Sequence, residues 1–142
     1  MREMHKAMFQ FWRQFTYDGN PIPAFPTGRV PEGQEFPYLT FEVVEGEYFS
    51  TAFTSAFLWC QKPSDVNMNI QDQRATLMDQ VAEAIPQEGV WLTFPGGGVL
   101  LRRNGPNWLS YYDPKTEDNV ESPTGEPIIG GRISYSVQFF VK

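Results

Sequence analysis

Two stretches of the chain place hydrophobic residues at helical spacing. The first predicts a helix over residues 3–16, whose apolar stripe consists of Met4, Met8, Phe11, Trp12 and Phe15. A run of turn-forming residues at 18–21 ends this pattern. The second stretch predicts a helix over residues 69–85, which ends at Pro86 because proline cannot donate the helical hydrogen bond. We expect both apolar stripes to pack on the hydrophobic core.

Alternating apolar and polar residues predict a hairpin or meander between the two helices. Its strands cover residues 38–44 and 51–60. The residues that share one face are Leu39, Phe41 and Val43 in the first strand and Phe53, Ser55, Phe57 and Trp59 in the second. A half-buried strand has this period of two.

The region after the second helix predicts another hairpin and a closing strand. Residues 90–94 and 99–103 flank a glycine-rich turn at 95–98, and a short aromatic strand follows at 108–112. The last strand, over residues 133–141, alternates most regularly. Its apolar face consists of Ile133, Tyr135, Val137, Phe139 and Val141. We expect this strand to be well paired in the main sheet, since that face must be buried.

Two long segments lack such alternation. Residues 17–37 contain five prolines, which block both helices and central strands, so we predict an extended arm or loop. Residues 113–127 predict a polar, acidic loop. Long connections in small domains are often functional. In an assembly, both segments would suit contacts with a neighbouring subunit, while a plain linker remains the alternative for the first.

The element order α-ββ-α-βββ, with hairpin connections, is typical of an α+β fold. We predict a single domain over residues 1–142, with a mostly antiparallel sheet flanked by two helices. The length of 142 residues suits one domain, and an apolar content of 41% is enough to build a core.

The charge balance narrows the range of partners. The chain has 11 Lys and Arg residues against 17 Asp and Glu residues, for a formal net charge of −6. This balance disfavours specific nucleic-acid binding and attraction to anionic membranes. No stretch approaches the roughly 18 apolar residues that a membrane helix needs. We therefore expect a soluble protein made inside the cell.

The sequence contains no recognisable catalytic, cofactor-binding or metal-ligating set. His5 and Cys60 are each the single residue of their type, and nothing in the sequence brings them together. Glycines 96–98 precede a strand, which predicts a hairpin turn rather than a phosphate-binding loop. The acidic run over 113–121 lacks the glycine of a calcium loop. We predict a protein that is not an enzyme and uses neither a cofactor nor a metal.

Cationic and aromatic residues cluster late in the chain. The members of this cluster are Arg102, Arg103, Trp108, Tyr111 and Tyr112. Arg, Trp and Tyr are enriched at protein–protein interfaces, whereas a nucleic-acid surface would need more cations than this chain has. We therefore regard these five residues as interface candidates, and their types indicate an assembly protein rather than an enzyme.

Five stretches together carry a resemblance to a known family. They are residues 36–43, 56–60, 81–86, 100–108 and 133–140. The first opens a strand with Pro37 and Tyr38, and the second contains Trp59. In this order, the stretches resemble the tail terminator and related minor tail or head–tail joining proteins of long-tailed bacteriophages and prophages.

The resemblance implies a small α+β protein that assembles into a ring, typically six-fold, on the last ring of the tail tube. There it would end tube polymerisation and present a surface to the head. Its partners would be copies of itself, the tail-tube protein and the head–tail connector protein. Its location would be the neck of a virion assembled in the bacterial cytoplasm.

Two other functions remain open from the residues. One is another phage head-completion or minor capsid protein. The other is a monomeric ligand-binding domain that uses Trp91, Trp108, Tyr111 and Tyr112 as an aromatic stacking platform. A ring predicts an oligomer in solution, whereas the platform predicts a monomer.

Overall fold

The computed structural model describes residues 2–44, 50–61, 70–105, 108–113 and 128–141. Helix α1 spans Arg2–Trp12 and helix α2 spans Ile70–Ala84. The strands before α2 are β1 (Thr16–Tyr17), β2 (Asn20–Pro21), β3 (Ala24–Pro26), β4 (Tyr38–Phe41) and β5 (Thr51–Gln61). The strands after α2 are β6 (Val90–Phe94), β7 (Gly97–Arg103), β8 (Leu109–Asp113) and β9 (Ile128–Val141). The fold is α+β as predicted, and the short strand predicted over residues 108–112 is present as β8. The order differs from α-ββ-α-βββ because β1, β2 and β3 also add to it.

The main sheet is mostly antiparallel and strongly curled. Its order is β3-β4-β5-β9-β7-β6, and β8 also pairs with β9. Strand β9 pairs with β5 on one side and, on the other, with β8 near its start and β7 near its end. The prediction of a well-paired closing strand is confirmed, although β9 begins at Ile128, earlier than predicted.

One face of the sheet forms the core with both helices. From β9, this inner face buries Ile133, Tyr135, Val137 and Phe139. Trp12 of α1 contacts the rings of Phe41 and Tyr135. Met78 of α2 occupies the space that a Cβ atom on Gly131 would need. Both helices therefore pack on this same face instead of flanking the sheet from two sides.

The opposite face of the sheet is called the outer face here. In β5, Phe53, Ser55, Phe57 and Trp59 share a face as predicted, but it is the outer one. The core positions of β5 are instead the alternate residues Ala56, Leu58 and Cys60, each at most 1% exposed. The aromatic pattern of this strand therefore marks a surface rather than the core.

The proline-rich segment 17–37 does more than connect α1 to the sheet. Strands β1 and β2 form a small hairpin through Asp18 and Gly19, which both have positive φ. Strand β3 extends the main sheet by pairing in parallel with β4. Ile22 and Ala24 are buried in the core cluster. The segment thus supplies an edge strand and core residues, which its proline content did not predict.

The second hairpin has a shorter turn than the glycine run predicts. Strands β6 and β7 are joined by Pro95 and Gly96, with Gly96 at φ 92°. Gly97 already belongs to β7, and a Cβ atom there would lie 2.6 Å from the backbone oxygen of Phe140. Close strand packing therefore requires glycine at this position. Most of the predicted acidic loop, residues 114–127, lies outside the described part of the chain.

Candidate interaction surfaces

The large hydrophobic side chains that the described structure leaves exposed all lie on the outer face. Phe53 is 76% exposed, Leu109 65% and Trp91 55%. Directly opposed residues in antiparallel strands point to the same side of a sheet. Phe53 is opposite Ser136, and Leu109 is opposite Arg132. Both partners alternate with the buried residues of β9, which places them on the outer face.

Trp91 reaches the outer face at the other edge of the sheet. It is opposite Leu100 in the β6–β7 pair. Its ring contacts that of Phe140 at a centroid distance of 4.9 Å. Phe140 follows buried Phe139 in β9 and so points outward. The outer face therefore carries apolar side chains from its centre to this edge.

Hydrogen bonds fix several polar groups between these apolar side chains. The hydroxyl oxygens of Ser55 and Ser134 lie 3.3 Å apart across the β5–β9 pair. Arg132 donates from Nε to Ser55 Oγ at 3.1 Å. The Trp59 indole donates to Thr40 Oγ1 at 2.9 Å. These bonds order the outer face before any partner binds, which reduces the entropy lost on association.

The two predicted arginine candidates are on opposite sides of the sheet. Arg102 is exposed and opposite Ser136, so it shares a row across the sheet with Phe53. Neighbouring strands are about 4.8 Å apart, and β9 lies between β7 and β5. The backbones of Arg102 and Phe53 are therefore about 10 Å apart. Arg103 is opposite Tyr135 on the inner side and is half-buried, and its Nε atom has no hydrogen-bond partner.

The aromatic candidates do not all lie on one face of the sheet either. Trp108 is half-buried against the core, and its indole donates to Asp79 Oδ1 of α2 at 3.0 Å. The backbones of Tyr111 and Tyr112 pair with β9, while their side chains are outside the described part of the structure. Trp91 and Trp108 therefore do not share one face, and the structure does not bring them together as a stacking platform.

A pocket that the sequence did not reveal lies between segment 17–37 and α2. We call it the arm pocket. It has a volume of about 230 Å³, and its lining includes Tyr17, Gln34, Glu35, Phe36 and Gln73. Gln73 is 4% exposed, whereas Glu35 is exposed at the rim. No local motif signals this pocket, because it forms where residues far apart in sequence meet.

Cys60, which was considered above for nucleophilic chemistry, offers little reactivity. Cys60 is fully buried, and burial raises the pKa of its thiol to about 12, against a smaller lowering by Arg74. A protonated buried thiol is a poor nucleophile. Within the described ranges, no group of three or more His, Cys, Asp or Glu side chains is arranged to hold a metal ion. None of the described helices has the length and apolar content to cross a membrane.

No protein-family model matches this chain, and no curated protein or solved structure matches it. Two surfaces of the fold remain as functional candidates. The outer face has exposed apolar groups and ordered polar groups, and the arm pocket has a buried glutamine.

Proposed function

We propose that this protein is a structural assembly protein that binds further copies of itself through the outer face. The observation that carries the proposal is that Phe53, Trp91 and Leu109 are all exposed on the sheet face opposite both helices. When association buries exposed apolar surface, each Å² contributes about 25 cal/mol of favourable free energy. Interfaces are typically anchored by aromatic and arginine side chains.

Charge supports a contact between two different surfaces of neighbouring copies. The outer face carries the exposed cations Arg102 and Arg132. Helix α2 exposes the acids Asp72, Asp79 and Glu83. An outer face that meets α2 of the next copy would pair these opposite charges, and such head-to-tail contacts generate closed rings when the rotation between copies closes.

Within this class, we propose a role at the head–tail junction of a long-tailed bacteriophage. The protein would cap the tail tube as a ring, end tube polymerisation and allow the head to join. The support is the resemblance in the order of elements and the α+β fold with a mostly antiparallel sheet. The tail-tube protein and the head–tail connector protein would be its partners.

The first experiment measures the mass of the purified full-length protein by light scattering across a range of concentrations. We expect an oligomer, which Phe53→Ser and Arg102→Glu convert to a monomer. Arg29→Glu is the matched control, because Arg29 is an exposed arginine outside the outer face. A wild-type protein that stays monomeric at high concentration would refute self-assembly.

The second experiment tests the proposed place in the virion. The gene is disrupted in the phage or prophage that encodes it, and the particles are imaged by electron microscopy. We expect tails of uncontrolled length, or tails that do not join heads. Normal tails beside unstable heads would instead identify a head-completion or minor capsid protein.

A further inference from the structure

The arm pocket contains a buried glutamine. Gln73 of α2 is 4% exposed and lines the pocket. No hydrogen bond joins its amide to another described residue. A side-chain amide that forms no hydrogen bond within the chain can bond to water or to a ligand instead. The position of Gln73 thus suits a ligand that can bond to an amide oxygen.

Other acceptors also lie along the pocket. Gln34 donates from Nε2 to the Glu35 backbone oxygen at 3.3 Å, which leaves its Oε1 atom as an acceptor. The Glu35 carboxylate lines the same pocket. The residues that line the pocket thus offer amide oxygens and a carboxylate as acceptors, and such acceptors suit a ligand rich in N–H donors.

Acidic side chains lie beside the pocket. The Tyr17 hydroxyl donates to Asp72 Oδ2 at 3.3 Å. The pKa of Tyr17 is raised, first by desolvation and then by the Asp18 and Asp72 carboxylates. A cation on the same helix, Arg74, donates to the side chain of Gln71. The acids near Tyr17 and the rim carboxylate of Glu35 therefore favour a positively charged ligand.

The walls and the size of the pocket narrow the choice of cation. Tyr17 and Phe36 provide aromatic surfaces, on which a flat guanidinium group can stack. The volume of about 230 Å³ opens to solvent. It is well above the roughly 10–15 Å³ that one water needs, so the pocket has room for one arginine side chain.

We propose that the arm pocket binds the guanidinium group of an arginine side chain presented by a partner polypeptide. Gln73 and Gln34 accept hydrogen bonds from the guanidinium, Glu35 supplies the opposite charge, and Tyr17 or Phe36 stacks on its plane. Asp72 also belongs to the α2 surface proposed above for self-assembly, but the titration below uses a free arginine compound and so tests the pocket independently of self-assembly.

The experiment titrates the ¹⁵N-labelled full chain with N-acetyl-arginine amide and follows its NMR spectrum. N-acetyl-citrulline amide is the matched ligand, since it has nearly the same shape and no charge. We expect saturable shifts at millimolar concentrations for the Gln73 side-chain amide and for residues 34–36. Binding of the citrulline compound should be at least tenfold weaker. Equal binding of both compounds, or the absence of shifts at the pocket, would overturn the proposal.

Two variants test the assignment within the pocket. Glu35→Gln should weaken arginine binding at least fivefold, because it removes the rim charge. Glu32→Gln is the control, because Glu32 is an exposed acid on the same segment that does not line the pocket. Both substitutions are at exposed positions, so both proteins should fold. N-acetyl-lysine amide is the third compound to titrate. If it bound as tightly as the arginine compound, the assignment of a guanidinium ligand would be refuted.

Discussion

The Trp12 indole stacks on the Phe41 ring, with the two centroids 5.7 Å apart and an interplanar angle of 12°. Both side chains are 0% exposed. The contact joins α1 to β4, and the Tyr135 ring of β9 lies at the same centroid distance from Trp12. The Trp12 indole nitrogen and the Tyr135 hydroxyl have no hydrogen-bond partner of standard geometry. Packing, rather than hydrogen bonding, therefore makes this cluster stable.

Trp12→Ala should lower the free energy of unfolding by about 3–5 kcal/mol, because it leaves a large cavity under α1. Trp91→Ala is the matched control at a residue that is 55% exposed, and it should cost less than about 1 kcal/mol. Urea denaturation followed by circular dichroism measures both changes. Similar losses in the two variants would show that α1 is not docked through Trp12.

The sequence predicted much of the fold where one pattern dominated. The regular alternation in residues 133–141 identified a central strand, because such a strand must bury one face. The same period in β5 was ambiguous, since Phe57 and Trp59 cover the outer face while Leu58 fills the core. The proline content of segment 17–37 also argued against a strand there, but β3 is an edge strand, and an edge strand tolerates proline. The arm pocket depends on Gln73 meeting segment 17–37, a tertiary contact without a local signal.

Gly130 and Gly131 of β9 should differ in their response to alanine. A Cβ atom on Gly130 would lie 1.8 Å from the backbone oxygen of Leu58, whereas one on Gly131 would first meet Met78 Cγ at 2.5 Å. A flexible methionine can move aside but a paired strand cannot. We expect Gly130→Ala to unfold the protein or to cost more than Gly131→Ala, whose overpacking penalty is about 1–3 kcal/mol.

The double variant Gly131→Ala/Met78→Ala tests whether the Met78 side chain causes the loss of stability in Gly131→Ala. If the Met78 side chain is the obstacle, the loss in the double variant should be smaller than the sum of the two single losses. Thermal unfolding of the four proteins measures this coupling. Strict additivity would contradict a direct contact between Gly131 and Met78.

Val137→Asp should lower the free energy of unfolding by about 3 kcal/mol or more, because it buries an unpaired carboxylate. Val137 is 1% exposed, between Ala52 of β5 and Leu101 of β7. Gln138→Asp introduces the same carboxylate one residue later, on the outer face, and should cost far less. A soluble Val137→Asp protein with the melting temperature of the wild type would refute the buried register of β9.

Cys60 should make the stability of the protein fall as the solution becomes alkaline. Its pKa is about 12 in the folded protein, because burial disfavours the thiolate. The pKa of a thiol in an unfolded chain is about 8.5. Between these values the unfolded chain has lost a proton that the folded protein keeps, so raising the pH favours unfolding. The contribution of Cys60 is therefore complete below about pH 8.5 and is lost as the pH rises toward 12.

Urea denaturation at pH 8 and pH 10 measures this effect. Between these pH values, ionisation of Cys60 should lower the free energy of unfolding of the wild type by about 2 kcal/mol. Cys60→Ala should lack that contribution. The comparison ends at pH 10 because the contribution of Tyr135 grows above it. Burial and the Glu42 charge also raise the pKa of Tyr135, against the neighbouring Trp12 indole. Its effect has the same sign as that of Cys60, since an unfolded tyrosine ionises near about pH 10. Parallel pH profiles for the wild type and Cys60→Ala would show that the thiol is not desolvated in the folded protein.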